Sequence, residues 1–375
     1  MTEASSRSGF RGPILTPKAL EAYLAALLGR RVRLLGMRRL DKGSREVTDE
    51  VKGYGYGVPL RIDYQAEGGS RHSAVVHTIT PGPFGHEHMA DRAQELFWEH
   101  RAFNRLPRHV RSLDVAGIRE DGDLVTLGGV DELCLLTDYV EGQSYAHDVE
   151  RIFHTGELTD LDLSRCDALC DYLVEIHMVR GTDPGLYARR IRELIGHGEC
   201  IMGLIDSYPP HAIATPAILE DIEMRCLKWR WRLKGRTDRL RQVHGDFHPW
   251  NILFAQGAEF QVLDRSRGEF GDPADDVACL TMNYVFFSLQ RSGRLEGGLK
   301  TLFLRFWRRY LERSADYEML KVVAPFFAFR CLVMAHPVWY PALADKVRQA
   351  LITFTLNVLE QESFDLDRVN AYCGC

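Results

Sequence analysis

The chain has 375 residues, 45% of them hydrophobic and 26% charged, with a formal net charge of -5. That is the composition of a soluble globular protein with room for two packed cores. The mild acidity excludes a blanket attraction to nucleic acid or to an anionic membrane, and neither is expected as a partner.

No segment reaches the roughly 18 apolar residues of a spanning helix. The longest apolar stretch, Val277 to Leu289, is broken by Thr281, Asn283 and Ser288. The nine cysteines contain no C-x-x-C pair, so reduced thiols and a cytoplasmic setting are expected. Cys373-Gly374-Cys375 reads as a frayed terminus rather than a metal clip. Residues 1–15 are rich in Ser, Gly and Arg and lack an apolar signal region, so a mobile start is expected.

Thr16-Pro17 opens a helix, with Leu20, Leu24, Leu27 and Leu28 on one face and Gly29 as its stop. The period then changes. Val32–Leu40, Pro59–Gln65 and Ser73–Ile79 read as antiparallel strands, separated by the Gly53, Gly55, Gly57 segment and by Gly68-Gly69. Gly82-Pro83-Phe84-Gly85 breaks the chain before a helix from Met89 to Leu106, which Pro107 ends. Gly85-His86-Glu87-His88 lacks further metal ligands and reads as a helix entry. Two more strands are expected at Leu124–Leu127 and Leu133–Thr137.

Beyond Gly142 the pattern is mostly helical. Helices are expected at 161–177, 186–205, 217–234, 278–288, 299–311 and 342–359. The tryptophans of Lys228-Trp229-Arg230-Trp231-Arg232 are expected to pack inward, their cations solvated. The organisation implied is a mobile 1–15, a small lobe over 16–138 and a larger lobe over 139–375, with a ligand expected between the lobes.

One stretch stands apart: His244-Gly245-Asp246-Phe247-His248-Pro249-Trp250-Asn251, followed by Leu263-Asp264 and by Gly271-Asp272-Pro273-Ala274-Asp275-Asp276. Asp246 and Asn251 are five apart, as in the protein-kinase loop H-R-D-x-x-x-x-N. A tight loop at that spacing aims a carboxylate and a carboxamide into one pocket. Such a pair suits Mg²⁺ and phosphate chemistry, where positioning and charge neutralisation do most of the work.

This motif set closely resembles the aminoglycoside phosphotransferase/choline kinase family of small-molecule kinases. The resemblance implies an α+β, two-lobed, protein-kinase-like fold: a small antiparallel β-rich N-lobe with one helix and a larger, mainly helical C-lobe. It implies ATP and Mg²⁺ as cofactors and a hydroxyl of a small molecule as acceptor. By the same resemblance Asp246 is the catalytic base, Asn251 and Asp264 bind Mg²⁺, and His244 orients the loop backbone. Asp276 braces the loop, Asp272 is structural, and His177 is a satisfied core histidine. Residues Leu133 to Gly142 resemble the interlobe hinge, where backbone groups of Asp138, Tyr139 and Val140 would meet the nucleobase.

The chain departs from the family where a strand lysine should grip the phosphates. Ala74-Val75-Val76-His77-Thr78-Ile79 places His77 there, with Glu99 (or Glu95) as its helix partner. The phosphates are gripped either by His77 or elsewhere, by the Gly53–Gly57 amides including Gly55 and Gly57, by Lys52 or by Arg92. An alternative reading follows, a nucleotide-binding pseudokinase with a regulatory role. A peptide kinase is disfavoured because Arg265 and Ser266, not Phe-Gly, follow Asp264. Arg330 in an apolar run needs a partner, either a core carboxylate or an anionic acceptor. The acids Glu269, Asp272, Asp275 and Asp276 would suit a cationic acceptor if they were free. Nothing fixes the oligomeric state.

Overall fold

The structure is a computed structural model that describes residues 15–40, 59–82 and 84–375. The chain divides after Thr137 into two compact units.

In the first unit, α1 (Pro17–Leu28) starts where the sequence says it must. The Thr16 hydroxyl oxygen accepts from the Ala19 N–H at 3.2 Å, and Gly29 ends the helix at φ +64°. Leu20 and Leu24 on its inner face pack with Ile62 and Tyr64. The sheet is antiparallel in the order β1 (Val32–Arg39), β2 (Leu60–Ala66), β3 (Arg71–Val76). A second helix, α2 (Met89–Phe103), and a hairpin of β4 (Ala116–Ile118) and β5 (Leu124–Thr126) complete the unit. Both helices expected from the sequence are thus present among the described residues of this unit.

Three expectations are corrected here. The third strand ends at Val76, not Ile79, because its partner β2 runs out at Leu60, which pairs with Val76. The second helix stops at Phe103, because the Asn104 side chain donates to the carbonyls of His100 and Ser112 and turns the chain before Pro107. Residues 133–137 pair with no strand among the described residues and run as exposed irregular backbone.

The second unit is mainly helical: α3 (Tyr145–Thr155), α4 (Asp160–His177), α5 (Pro184–Gly196), α6 (Ile201–Ser207) and α7 (Pro216–Leu233) come first. Three short antiparallel pairings interrupt the helices. β6 (Gln143–Ser144) pairs with β8 (Ile252–Phe254), β8 with β9 (Phe260–Val262), and β7 (Arg241–Gln242) with β10 (Phe270–Gly271). Then follow α8 (Ala274–Ser292), α9 (Gly297–Ser314), α10 (Ala324–Ala335), α11 (Asp345–Glu360) and α12 (Val369–Tyr372). The expected helix over 186–205 is two helices, broken at His197-Gly198. Trp229 packs inward, but Trp231 is 67% exposed, with the Lys234 ammonium 3.1 Å from its ring centre.

The C-terminus is docked rather than frayed. Cys373 is buried, the Asn357 side chain donates to the Tyr372 carbonyl at 2.9 Å, and the Tyr372 ring contacts Phe354 and Phe364. Among the described residues no helix is long and apolar enough to cross a membrane.

α3 and α10 have no counterpart in the sequence reading. α10 is buried over nearly every residue from Ala324 to Ala335, so no polar face marks its period. The start of α8 is fixed by Asp272, which is fully buried. It accepts from Arg239 Nε and Nη2 at 2.8 Å each, from the Tyr187 hydroxyl at 2.7 Å and from the Ala274 N–H at 3.0 Å.

Burial alone would raise the Asp272 carboxyl. The Arg239 charge and these hydrogen bonds outweigh it and hold the group below the ordinary carboxylate range. Removing one partner of a buried pair costs about 3–5 kcal/mol, so Asp272→Ala should lose roughly that in urea denaturation. The lowered folded value also sets a sign. The stabilisation is present above the ordinary value of about 3.9 and drains away as pH falls below it. Wild-type stability should therefore fall more steeply on acidification than that of Asp272→Asn.

Candidate active site

The loop from Val243 to Asn251 joins β7 to β8. Its entry is pinned by the Val243 N–H donating to the Glu269 carbonyl at 3.0 Å. Gly245 turns the chain at φ +87°, a conformation that side chains disfavour, and a Cβ there would stand 3.1 Å from the Cβ of Arg267. The turn points two amides at one carboxylate. His244 N–H donates to Asp276 Oδ2 at 2.8 Å and Gly245 N–H to Asp276 Oδ1 at 2.7 Å.

Asp276 lies in the first turn of α8 and is completely buried. Its Oδ2 also meets His177 Nε2 at 3.1 Å, and His177 Nδ1 meets the Tyr310 hydroxyl at 2.7 Å. His177 is thus a satisfied core histidine whose partner is the carboxylate under the loop. Burial raises the Asp276 carboxyl, but His177 and the His244 amide more than compensate, and it is held below its ordinary value.

The rest of the loop closes on itself. His244 Nδ1 accepts from the Asp246 N–H at 3.3 Å, so the His244 ring touches the loop backbone, and its buried Nε2 has no hydrogen-bond partner among the described residues. The Asp246 carbonyl accepts from the His248 N–H at 2.9 Å and from Asn251 Nδ2 at 3.1 Å. With its nitrogen so engaged, the Asn251 side-chain oxygen has no hydrogen-bond partner among the described residues. β8 and β9 form a hairpin, and the Leu263 N–H donates to the Asn251 carbonyl at 2.8 Å. That bond brings the strand end carrying Asp264 alongside Asn251. Asp264 is exposed and takes φ +54°, a strained backbone of the kind that clusters at functional sites.

The Asp246 side chain is largely buried. Its Oδ1 accepts from Arg330 Nη1 at 2.5 Å, and the thiol of Cys279 lies 3.8 Å away. Arg267 Nε is 3.9 Å from Oδ1, and His248 Nε2 is 3.7 Å from Oδ2. Burial pushes the carboxyl up, but the charges of Arg330 and Arg267 prevail and keep it below its ordinary value. Burial also holds the His248 imidazole below its usual value, against the pull of Asp246.

Arg330 and Asp275 were absent from the site drawn from sequence. Arg330 Nη2 donates to the Gly245 carbonyl at 3.1 Å and to Asp275 Oδ1 at 2.7 Å. The only advance signal was a guanidinium in an apolar run. Three of the four clustered acids are therefore committed internally: Asp272 to Arg239, Asp275 to Arg330, and Asp276 to the loop.

Asp138, Tyr139 and Val140 are irregular backbone leading into β6, and β6 pairs with β8. Gly142 permits that approach, since a Cβ there would lie 3.0 Å from both Leu253 Cβ and the Phe254 carbonyl oxygen.

In the first unit, His77 is exposed just past β3 and Glu99 is half-buried on α2. Among the described residues no hydrogen bond or ion pair joins them. Glu95 instead bonds His86, and Arg92 donates to the His86 carbonyl at 2.9 Å. Both are thereby tied to the helix entry. Gly55, Gly57 and Lys52 lie outside the described residues.

An α+β chain whose loop holds a carboxylate and a carboxamide beside a carboxylate-bearing strand end is built as a phosphoryl-transfer enzyme is expected to be built. The sequence profile of the phosphotransferase enzyme family matches residues 72–317, well over half of the chain. The chain belongs to that family.

Among solved structures it is similar to an amicoumacin kinase, hAmiN, in complex with AMP-PNP, Ca²⁺ and Ami. Identity is 14%, coverage is 83% of this chain and 89% of that one, and the TM-score is 0.41. It is also similar to a choline/ethanolamine kinase family protein from Mesorhizobium loti, at 14% identity, 69% and 78% coverage and a TM-score of 0.36. The choline kinase LicA from Streptococcus pneumoniae aligns at 13% identity, 90% and 98% coverage and a TM-score of 0.33. A search of curated proteins found no match. At these scores the functional reading rests on the family and on the site itself.

Asp276→Ala removes the acceptor of two loop amides and the partner of His177. A misplacement of about 1 Å can cost on the order of 10²-fold in rate, so phosphoryl transfer by this variant should fall by about that factor. Steady-state kinetics alongside thermal unfolding would check it.

Proposed function

We propose that the protein transfers the γ-phosphoryl group of ATP to a hydroxyl of a small molecule. The observation that carries this reading is that the Asn251 side chain bonds the Asp246 carbonyl while the Asn251 carbonyl accepts from Leu263, next to Asp264, with the Asn251 side-chain oxygen and the Asp264 carboxylate unengaged among the described residues.

Asp246 would be the base. With Oδ1 held by Arg330, Oδ2 is the oxygen left to take the acceptor's proton. As the acceptor oxygen bonds to the γ-phosphorus, the bond from that phosphorus to the β–γ bridging oxygen breaks and ADP leaves. A carboxyl kept below its ordinary value is a weak base. That suits a loose transition state in which orienting the hydroxyl matters more than removing its proton early.

The donors fit Mg²⁺, which prefers hard oxygen ligands and keeps waters and phosphate oxygens in its shell. Among the described residues no three His, Cys, Asp or Glu side chains form a metal cage, and one carboxylate with one amide needs none. Asn251 and Asp264 would hold the ion, whose contribution is to neutralise phosphate charge. His244 would keep the loop backbone in place. Backbone groups of Asp138, Tyr139 and Val140 would meet the nucleobase. His77, with Glu99 as its helix partner, and the amides of Gly55 and Gly57 are the proposed phosphate grip of the first unit. The pseudokinase alternative rests on His77 alone, and a non-catalytic chain has no need of all three oxygen-bearing residues in place.

The internal commitment of Asp272, Asp275 and Asp276 leaves little free acidity for a cationic acceptor.

With Mg²⁺ present, the purified protein should consume ATP when offered a library of hydroxylated metabolites. Asp246→Asn should abolish acceptor-dependent turnover, and undiminished turnover in that variant would remove Asp246 from its role. Asp264→Asn should raise the Mg²⁺ concentration needed for half-maximal rate. A parallel measurement concerns His77→Ala, which should raise the KM for ATP; an unchanged KM would place the phosphate grip elsewhere.

A further inference from the structure

The Gly245 peptide is gripped from both ends. Its N–H donates to Asp276 Oδ1 at 2.7 Å, and its carbonyl accepts from Arg330 Nη2 at 3.1 Å. The two grips originate from adjacent residues of α8. Asp276 acts directly, whereas Asp275 holds Arg330 Nη2 at 2.7 Å, and Arg330 in turn reaches the loop. Nη1 of the same guanidinium holds Asp246 Oδ1 at 2.5 Å. Arg330 is 5% exposed on α10 and is itself braced by lying 4.6 Å from the Phe329 ring. A planar fork with fixed donor directions can serve a side-chain carboxylate, a backbone carbonyl and a tethering acid at once, with more directional control than a compact ammonium.

We infer that Arg330, tethered by Asp275, is a positioning residue that fixes the rotamer of Asp246 and presents Oδ2 alone to the acceptor hydroxyl. This rests on the phosphotransferase reading above. Three features separate the role from ordinary core pairing. The guanidinium bonds the reactive side chain itself. It bonds the peptide immediately before that side chain. Its tether comes from the same helix turn that holds the loop amides. Asp275 thereby has a reason to stand next to Asp276, and a buried charge on an otherwise apolar helix has a reason to be there. The arrangement also predicts which kinetic constant suffers. Arg330 bonds the loop and its carboxylate, so its loss should act on the transferring step rather than on nucleotide affinity.

The test uses the full chain with Mg²⁺ and ATP, with water as acceptor in the absence of an identified substrate. Arg330→Gln paired with Asp275→Asn avoids leaving the Asp275 carboxylate bare and serves if the single variant Arg330→Ala does not fold. In a folded variant kcat should fall by about a hundredfold, with the KM for ATP changed less than about twofold. Arg330→Lys should recover part of the loss. Millimolar guanidine added to Arg330→Ala should restore part of kcat without shifting its unfolding temperature. A folded variant with undiminished kcat would overturn the assignment. So would a loss shared equally between kcat and KM and unrelieved by lysine or guanidine, since that is the mark of a merely structural residue. A wild-type protein that turns over no ATP, with water or with any hydroxylated acceptor, overturns the phosphotransferase reading and this inference with it. An active wild type with an unaffected variant overturns this inference alone.

Discussion

The Asp276 carboxylate, buried at the start of α8, is the contact on which the site depends. A bare carboxylate at that depth would be costly, and the cost is met by two loop amides and by His177. The loop needs the carboxylate as much as the carboxylate needs the loop. A chain turning at positive φ at Gly245 exposes consecutive N–H groups that no strand or helix can satisfy. The carboxylate and the two amides satisfy one another, which pins the loop where Asp246 leaves it.

Around this contact the charges are arranged in pairs. Asp272 takes Arg239 and fixes where α8 begins, while Asp275 takes Arg330 and brings α10 onto the loop. Each pair is buried and hydrogen-bonded on several atoms, so their value lies in specifying geometry rather than in raw stability. The outcome is one largely buried carboxylate, Asp246, with Oδ1 held by Arg330 and Oδ2 3.7 Å from His248 Nε2, in a loop whose Asn251 lies next to the strand end that carries the strained Asp264.

The sequence spoke most clearly where spacing encodes a turn. The span from His244 to Asn251, the Leu-Asp that follows β9 and the Asp pair at α8 were legible, because a loop that presents side chains tolerates few alternatives. Thr16, Pro17 and Gly29 marked α1 for a similar local reason. Elements set by tertiary burial were not legible. α10 is apolar on all sides, so it has no amphipathic period, and the role of Arg330 depends on an approach across 84 residues of sequence. The strand expected at 133–137 rested on composition, and apolar β-prone residues do not make a strand without a partner edge. His77 was placed on a strand by the same logic, yet β3 ends one residue earlier because β2 has no more backbone to offer it.

The central claim is that Asp246 directs a small-molecule hydroxyl onto the γ-phosphorus of ATP. Phosphorus-31 spectra of ATP, Mg²⁺ and pooled hydroxylated metabolites tests it most directly. The wild-type protein should produce a new phosphomonoester resonance together with ADP, and Asp246→Asn should produce neither. A phosphomonoester of equal intensity from Asp246→Asn, or none from the wild type with any pool, would contradict the account.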